Sequence, residues 1–279
     1  MKKKALKITA LVAALALIII LGLFANSMVG NPISHMLAKR TAERYLEEHH
    51  PDKDYQLEGV TFNFKFVCYN AYFQSPSSPD SRFTLMLGMD GQVKSDYYEE
   101  QVTNRGNTAR RLEEEYRSAV SKVLDSPAFP YDTHIDYGEL QFISEEFRNA
   151  EGVPAYALIT NELELDGIYD VNELGAKAGK LTVYVYDDTV TVERLAEIIL
   201  DIRAMLEEAG VSFYVMDCVL EYPKPEDGSP WKEGRVEVME MRCSDIYEEG
   251  LVDRVRTSNE SAADYYEKMD AIKKQEEIG

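Results

Sequence analysis

Between Ile8 and Ala25 the chain runs for eighteen residues, ITALVAALALIIILGLFA, without a charge. At ~1.5 Å of rise per residue such a run spans ~27 Å as an α-helix. The hydrocarbon core of a bilayer is ~30 Å thick. A helix pairs its own backbone polar groups, as lipid requires. Leu11, Leu15, Leu17, Ile18, Ile19, Ile20 and Leu21 make it apolar on every side, which suits lipid or a deep core and not a surface helix. Lys2, Lys3, Lys4 and Lys7 precede it, and no acid occurs before Glu43. The positive-inside rule then puts the N-terminus in the cytoplasm and residues 31–279 outside it. A cleaved secretory signal is the competing reading, with Ala25-Asn26-Ser27 as its cleavage site. The apolar run exceeds the ~7–15 residues usual for such a signal, so the uncleaved, single-pass anchor is preferred.

Charge narrows the partners. The chain has 30 Lys+Arg and 50 Asp+Glu. Four of the basic residues and none of the acids precede residue 31, which leaves 26 against 50, a net charge of −24, beyond it. That excess repels phosphate, so nucleic acid is excluded as a partner and docking of the folded part on anionic lipid is not expected. The partners expected are the membrane, through the N-terminal helix, and an envelope protein. No oligomeric state follows. The three cysteines, Cys68, Cys218 and Cys243, are scattered and form no CxxC. They read as small buried residues, with a Cys218–Cys243 bridge as the alternative.

The pattern beyond residue 30 predicts an α+β chain: the transmembrane helix, then two small two-layer domains. The expected divisions are 1–30 for the cytoplasmic lysines and anchor, 31–105 for a helix on an antiparallel meander, 106–246 for a second α+β domain, and 247–279 for a helical tail. Asn31-Pro32 is a strong helix start. Ile33, Leu37, Ala38, Ala42, Tyr45 and Leu46 form its expected buried stripe, and Pro51 its end. Val60, Phe62, Phe64, Phe66 and Cys68 alternate as in one strand, and Phe83, Leu85, Leu87 and Met89 as in another. Asp90-Gly91 signals a hairpin with a return strand at 92–96. Ser75-Pro76-Ser77-Ser78-Pro79-Asp80 reads as a loop.

In the second half a helix is expected over 108–124, with Leu112, Tyr116, Ala119, Val120 and Val123 inward. Extended segments follow at 133–142 and 154–161, then an irregular stretch at 162–179. Leu181, Val183 and Val185 mark a strand. Thr191 caps a helix whose stripe is Val192, Leu195, Ile199, Ile202 and Leu206, and Gly210 ends it. Strands at 212–222 and 235–242, joined by a turn at 223–234, give the order strand–helix–strand–strand and a ferredoxin-like βαββ expectation. One or two helices close the chain at 245–276.

The stretch NPISHMLAKRTAERYLEEHHPDKDYQLEGVTFNFKFVCYNAYFQSPSSPDSRFTLMLGMDGQV resembles the N-terminal part of the YfjL-like proteins of Firmicutes, small membrane-anchored envelope proteins. The NPIS opening, Tyr45 to Pro51, the Tyr55 strand start and Ser75-Pro76-Ser77 carry the likeness, which covers about 30–100 and extends more faintly into the second half. It implies location and fold, and carries over no activity or catalytic residue. A helix on a curled antiparallel sheet is also similar to cystatin and PepSY-type domains, which inhibit or escort proteases.

No chemistry-bearing motif stands out, so no catalytic, metal-binding or cofactor-binding residue is assigned and no cofactor is expected. His49-His50, near Asp52 and Asp54, are adjacent on a helix end and do not face one site; solvent-exposed histidines are the reading preferred. His35 and His134 are isolated. Asp166 to Glu173 gathers three acids and Asn172 but lacks the EF-hand spacing, so an ordinary acidic loop is preferred to a calcium site. G-x-S-x-G, HExxH and phosphate-binding glycine loops are missing from the sequence. The 18 tyrosines, Tyr69, Tyr72, Tyr97, Tyr184 and Tyr186 among them, read mainly as half-buried strand residues. The reading is a non-enzymatic binding or interaction module of the cell envelope. The alternatives are a tethered protease inhibitor or chaperone-like module, and a hydrolase whose site the motifs do not reveal.

Overall fold

A computed structural model describes residues 11–18, 20, 22, 24, 30–225 and 232–276. Among these no helix is long and apolar enough to cross a membrane. The run 8–25 lies partly outside the described residues; its described members, 11–18, 20, 22 and 24, are helical and exposed. The spanning helix expected there therefore has no support among them. The expected turn at 223–234 also lies largely outside the described residues. The rest is α+β and divides into two units, Met1–Thr108 with Glu164–Asp166, and Ala109–Leu163 with Gly167–Gly279.

In the first unit Asn31 caps helix α1 (Pro32–His49): its Oδ1 accepts the Ser34 N–H at 2.8 Å, and Pro32 occupies the first turn. The buried face is Ser34, Ala38, Ala42 and Tyr45. This corrects the expected stripe, because Ile33 is 69% exposed and Leu37 is exposed too. Small side chains against the sheet allow a close approach, and the larger ones turn outward.

The helix packs on an antiparallel meander in the order β1 (Gln56–Asn63), β2 (Cys68–Ser75), β3 (Ser78–Leu87) and β4 (Val93–Asp96). Phe73, Phe83, Leu85 and Leu87 fill its core with Tyr45. The single strand expected over 60–68 is two strands and a turn. Asn63 Oδ1 accepts the N–H groups of Lys65 and Phe66 at 3.1 and 3.3 Å, and Val67 takes a φ of 50°. Phe64 and Phe66 thus project from a hairpin tip. The strands also run further into 75–80 than expected, leaving only Pro76-Ser77 as the turn. Asp90-Gly91 does turn the chain: the Gly91 N–H donates to the Gly88 carbonyl at 2.9 Å. Gly91 has φ 78°, and a Cβ there would lie 3.0 Å from that of Leu37, so the turn and helix α1 approach closely.

The second unit is a mixed sheet in the order β10 (Arg235–Arg242), β9 (Val215–Glu221), β8 (Gly179–Tyr186) and β5 (Asp132–Leu140). Within this sheet β8 and β9 run parallel and the other neighbours antiparallel; β8 and β9 are joined through helix α4 (Val192–Glu208), which Thr191 caps. The order strand–helix–strand–strand is present, but the ferredoxin-like expectation needs correction. That fold splits its βαβ strands, whereas β8 and β9 here are direct partners. Leu112, Tyr116 and Val120 of helix α2 (Gly106–Leu124) join Leu181, Val183, Val185, Leu195, Ile199 and Ile202 in the core. The extended segment expected at 154–161 shrinks to β7 (Leu158–Ile159), parallel to β6 (Phe142–Ile143). The stretch expected to be irregular contains helix α3 (Val171–Ala178), capped by Asp170.

Helix α5 (Leu251–Glu276) is one helix. Leu251 and Val255 enter the core, while Asn259 Oδ1 and Ser258 Oγ accept the N–H groups of Glu237 and Met239 at 2.9 and 3.2 Å. It thereby occupies donors of the edge strand β10 that would otherwise template pairing with another chain.

Candidate functional site

Strand β9 reads Val-Met-Asp-Cys-Val-Leu-Glu, one acid inside an apolar run. A charged residue in such a strand requires a partner. Asp217 is buried, and its Oδ2 lies 2.7 Å from Lys180 Nζ on the adjacent β8. Burial pulls the Lys180 ammonium down, but the hydrogen bond and charge of Asp217, with Glu240 and Glu139, more than reverse it and raise its pKa.

The other oxygen of Asp217 accepts the backbone N–H of Glu240 at 2.6 Å. That contact sits in a β-bulge. Val238 pairs with Cys218 and Met241 with Met216, so Met239 and Glu240 together face Asp217. Glu240 takes a φ of 48°. A left-handed conformation is strained for a residue with a side chain, and bulges of this kind re-aim the side chains beside them. The Glu240 carboxylate is half in solvent, with Lys180 Nζ 4.0 Å away.

Three open hollows share Glu240 on their rims. One, of about 510 Å³, adds Lys180, Met239, Ser258, Tyr265 and Tyr266. A second, of about 470 Å³, has Arg242, Asp253 and Arg254. The third, of about 360 Å³, is bounded by Tyr156, Tyr214 and Arg242. Burial, with the charges of Glu240, Asp217 and Glu139, pushes the Tyr156 phenol up, so it stays protonated. Nearby, burial also raises the Glu237 carboxyl, against the opposing pull of Arg235. Of the serines on the rim, Ser258 Oγ accepts the Met239 N–H, and Ser261 Oγ donates to the Thr257 carbonyl at 2.9 Å. The face carries the fixed Asp217 carboxylate paired with Lys180, the half-exposed Glu240 carboxylate, and exposed Met239 and Tyr265.

None of these residues was singled out by motif. The available signals were the lone Asp217 in its apolar strand and Lys180 opening the next, which are 37 residues apart and meet only through the parallel pairing of β8 and β9. The stretches weighed in the sequence have other occupations. His50 is half-buried among Tyr55, Phe83 and Tyr98, with its ring centroid 4.4 Å from that of Tyr98, and not solvent-exposed as expected. His49 stacks on Tyr45 at 4.1 Å. His134 stacks on Tyr186 and lies 3.2 Å from Glu221.

In the acidic stretch, Asp170 caps α3 and Asp166 Oδ1 accepts the Asp80 N–H at 2.8 Å. Among the described residues no group of three or more His, Cys, Asp or Glu is arranged to hold a metal ion. All three cysteines are free; Cys68 and Cys218 are buried, and Cys243 is half-buried. Burial pushes the Cys218 thiol up to about 12, which leaves it inert.

No curated protein matches the chain. A solved structure, of a DUF5037 family protein from Ruminococcus gnavus, is similar at 14% identity over 65% of this chain and 73% of that chain, with a TM-score of 0.19. Two family models match: the YfjL-like N-terminal domain over residues 2–97 and the YfjL-like C-terminal domain over residues 115–256. Together they span the apolar run, the meander and strands β8 to β10 with Glu240, and the chain belongs to the YfjL-like family.

Proposed function

We propose that this YfjL-like protein is a single-pass, membrane-tethered, extracytoplasmic binding protein of the cell envelope. Its N-terminus is cytoplasmic, it catalyses no reaction of its own, and it meets a partner through the Glu240 face. The observation that carries the reading is the uncharged run Ile8–Ala25 behind four lysines. The match to the family's N-terminal domain begins at residue 2, so the run is part of that domain. The binding role is supported by the strained bulge at Glu240, whose backbone Asp217 holds in place and whose side chain is half-exposed. The Ser261 hydroxyl is given to the Thr257 carbonyl, which supports binding over nucleophilic chemistry at that residue.

The test is protease treatment of intact cells, together with a photo-crosslinking side chain placed at Met239. The folded part is expected to be lost from intact cells, and one envelope neighbour to be captured at Met239, with that capture lost in the Glu240→Arg variant. Survival of the folded part until the cells are lysed would refute the topology. Turnover of a substrate by the purified chain, abolished by Glu240→Gln, would refute the non-catalytic role.

A further inference from the structure

We propose that one end of the first unit, the tip formed by Phe64, Phe66 and Val67 with Ile33 of the first turn of α1 at the same end, rests in the headgroup and acyl boundary of the bilayer. The proposal rests on the tethered reading above and adds a second point of lipid contact to it. Three observations carry it.

The first is placement. The Tyr69 hydroxyl holds Asn31 from both sides, accepting its N–H at 3.1 Å and donating to its carbonyl at 3.0 Å. Tyr69 pairs with Phe62, the last large residue before the hairpin turn, so the tip and the start of α1 share one end of the unit. Five residues lie between Ala25 and Asn31, and a fully extended chain covers ~3.5 Å for each of the six steps, so the end of the apolar run lies within ~21 Å of that end.

The second is apolar exposure. Phe64 and Phe66 are each 60% exposed, Val67 49% and Ile33 69%. Large apolar groups gathered on a tip mark an interaction surface, unlike single scattered ones. The turn is suited to lipid because Asn63 already satisfies its Lys65 and Phe66 N–H groups.

The third is charge. The two turns at this end and the first residues of β4 hold Lys65 and Lys94 against Asp90, and the first two turns of α1 hold no acid. Glu43, Glu47, Glu48, Asp52 and Asp54 lie from the middle of α1 to its far end and beyond. The net charge of −20 is therefore not carried by the tip, and the argument from whole-chain charge against lipid docking does not apply locally. Lys65 has a stem long enough to reach the headgroups while its neighbours bury.

The experiment uses the full chain with its single tryptophan removed (Trp231→Phe). Phe64→Trp, Phe66→Trp or, as a control at the opposite end, Lys53→Trp is then added. Each variant is reconstituted into phosphatidylcholine vesicles with brominated acyl chains. The two tip variants are expected to show blue-shifted emission and to lose most of it to bromine, and Lys53→Trp to keep its emission. A chain that floats with the vesicles while all three tryptophans stay unquenched overturns the proposal and leaves the tether standing. Blue-shifted but unquenched tips in a chain that sediments as a dimer assign the tip to a second copy, and overturn it as well. A chain that does not float with vesicles refutes the tethered reading, and this proposal with it.

Discussion

His50 follows the last residue of α1, and its ring is packed among Tyr55, Phe83 and Tyr98. Burial lowers its pKa below the ordinary 6.5, with His49 and Lys53 adding to the effect and Asp96 opposing it. In the unfolded chain the imidazole takes a proton near 6.5, which the folded protein resists. The unfolded state therefore binds more protons, and stability is lost as pH falls through 6.5 toward the folded value. His50→Phe keeps an aromatic ring in the cluster and removes the titration. Thermal melts on either side of pH 6.5 should show a smaller acid-induced drop for the variant than for the parent. An equal or larger drop would show that His50 is not the group responsible.

Helix α1 depends on its first turn more than its composition suggests, since its buried face is only Ser34, Ala38, Ala42 and Tyr45. Small residues contribute little apolar area, at ~25 cal/mol per Å² buried. The Asn31 cap is correspondingly important: Oδ1 takes the Ser34 N–H and Nδ2 donates to Ser34 Oγ at 2.9 Å. Asn31→Ala should cost about 1 kcal/mol. It should lower the urea midpoint with the slope unchanged. A midpoint that does not move would mean the cap is replaced by solvent. On β10 the same scale shows a different device. A bulge that interrupts the ladder at Met239 and Glu240 is secured by Asp217 within the sheet and by Ser258 from α5. The strand bends without leaving those N–H groups unpaired.

At the scale of the whole molecule, a net charge of −20 over 279 residues makes self-repulsion a general cost of folding. Raising ionic strength shortens the Debye length from ~30 Å at 0.01 M to ~8 Å at 0.15 M. The melting temperature should therefore rise over that range, read by circular dichroism. A fall would mean that ion pairs such as Lys180–Asp217 and Arg194–Asp187, and not long-range repulsion, dominate the salt response. Much of the architecture was legible from the chain. The Asn31-Pro32 start, the Asp90-Gly91 turn, the Thr191 cap and the alternation of β8 all appear where the residues place them. Each depends on groups within a few positions of one another, whose hydrogen bonds and side-chain periods are local properties. Tertiary structure alone decided that the phenylalanines at 64 and 66 project from a turn, because a period of two reads the same through a short hairpin as along a strand. It also rotated α1 onto its small residues, packed His50 half-buried among aromatic rings, and brought Lys180, Asp217 and Glu240 together from three strands. Those outcomes depend on which surfaces meet across long stretches of chain, where spacing in sequence carries no distance in space.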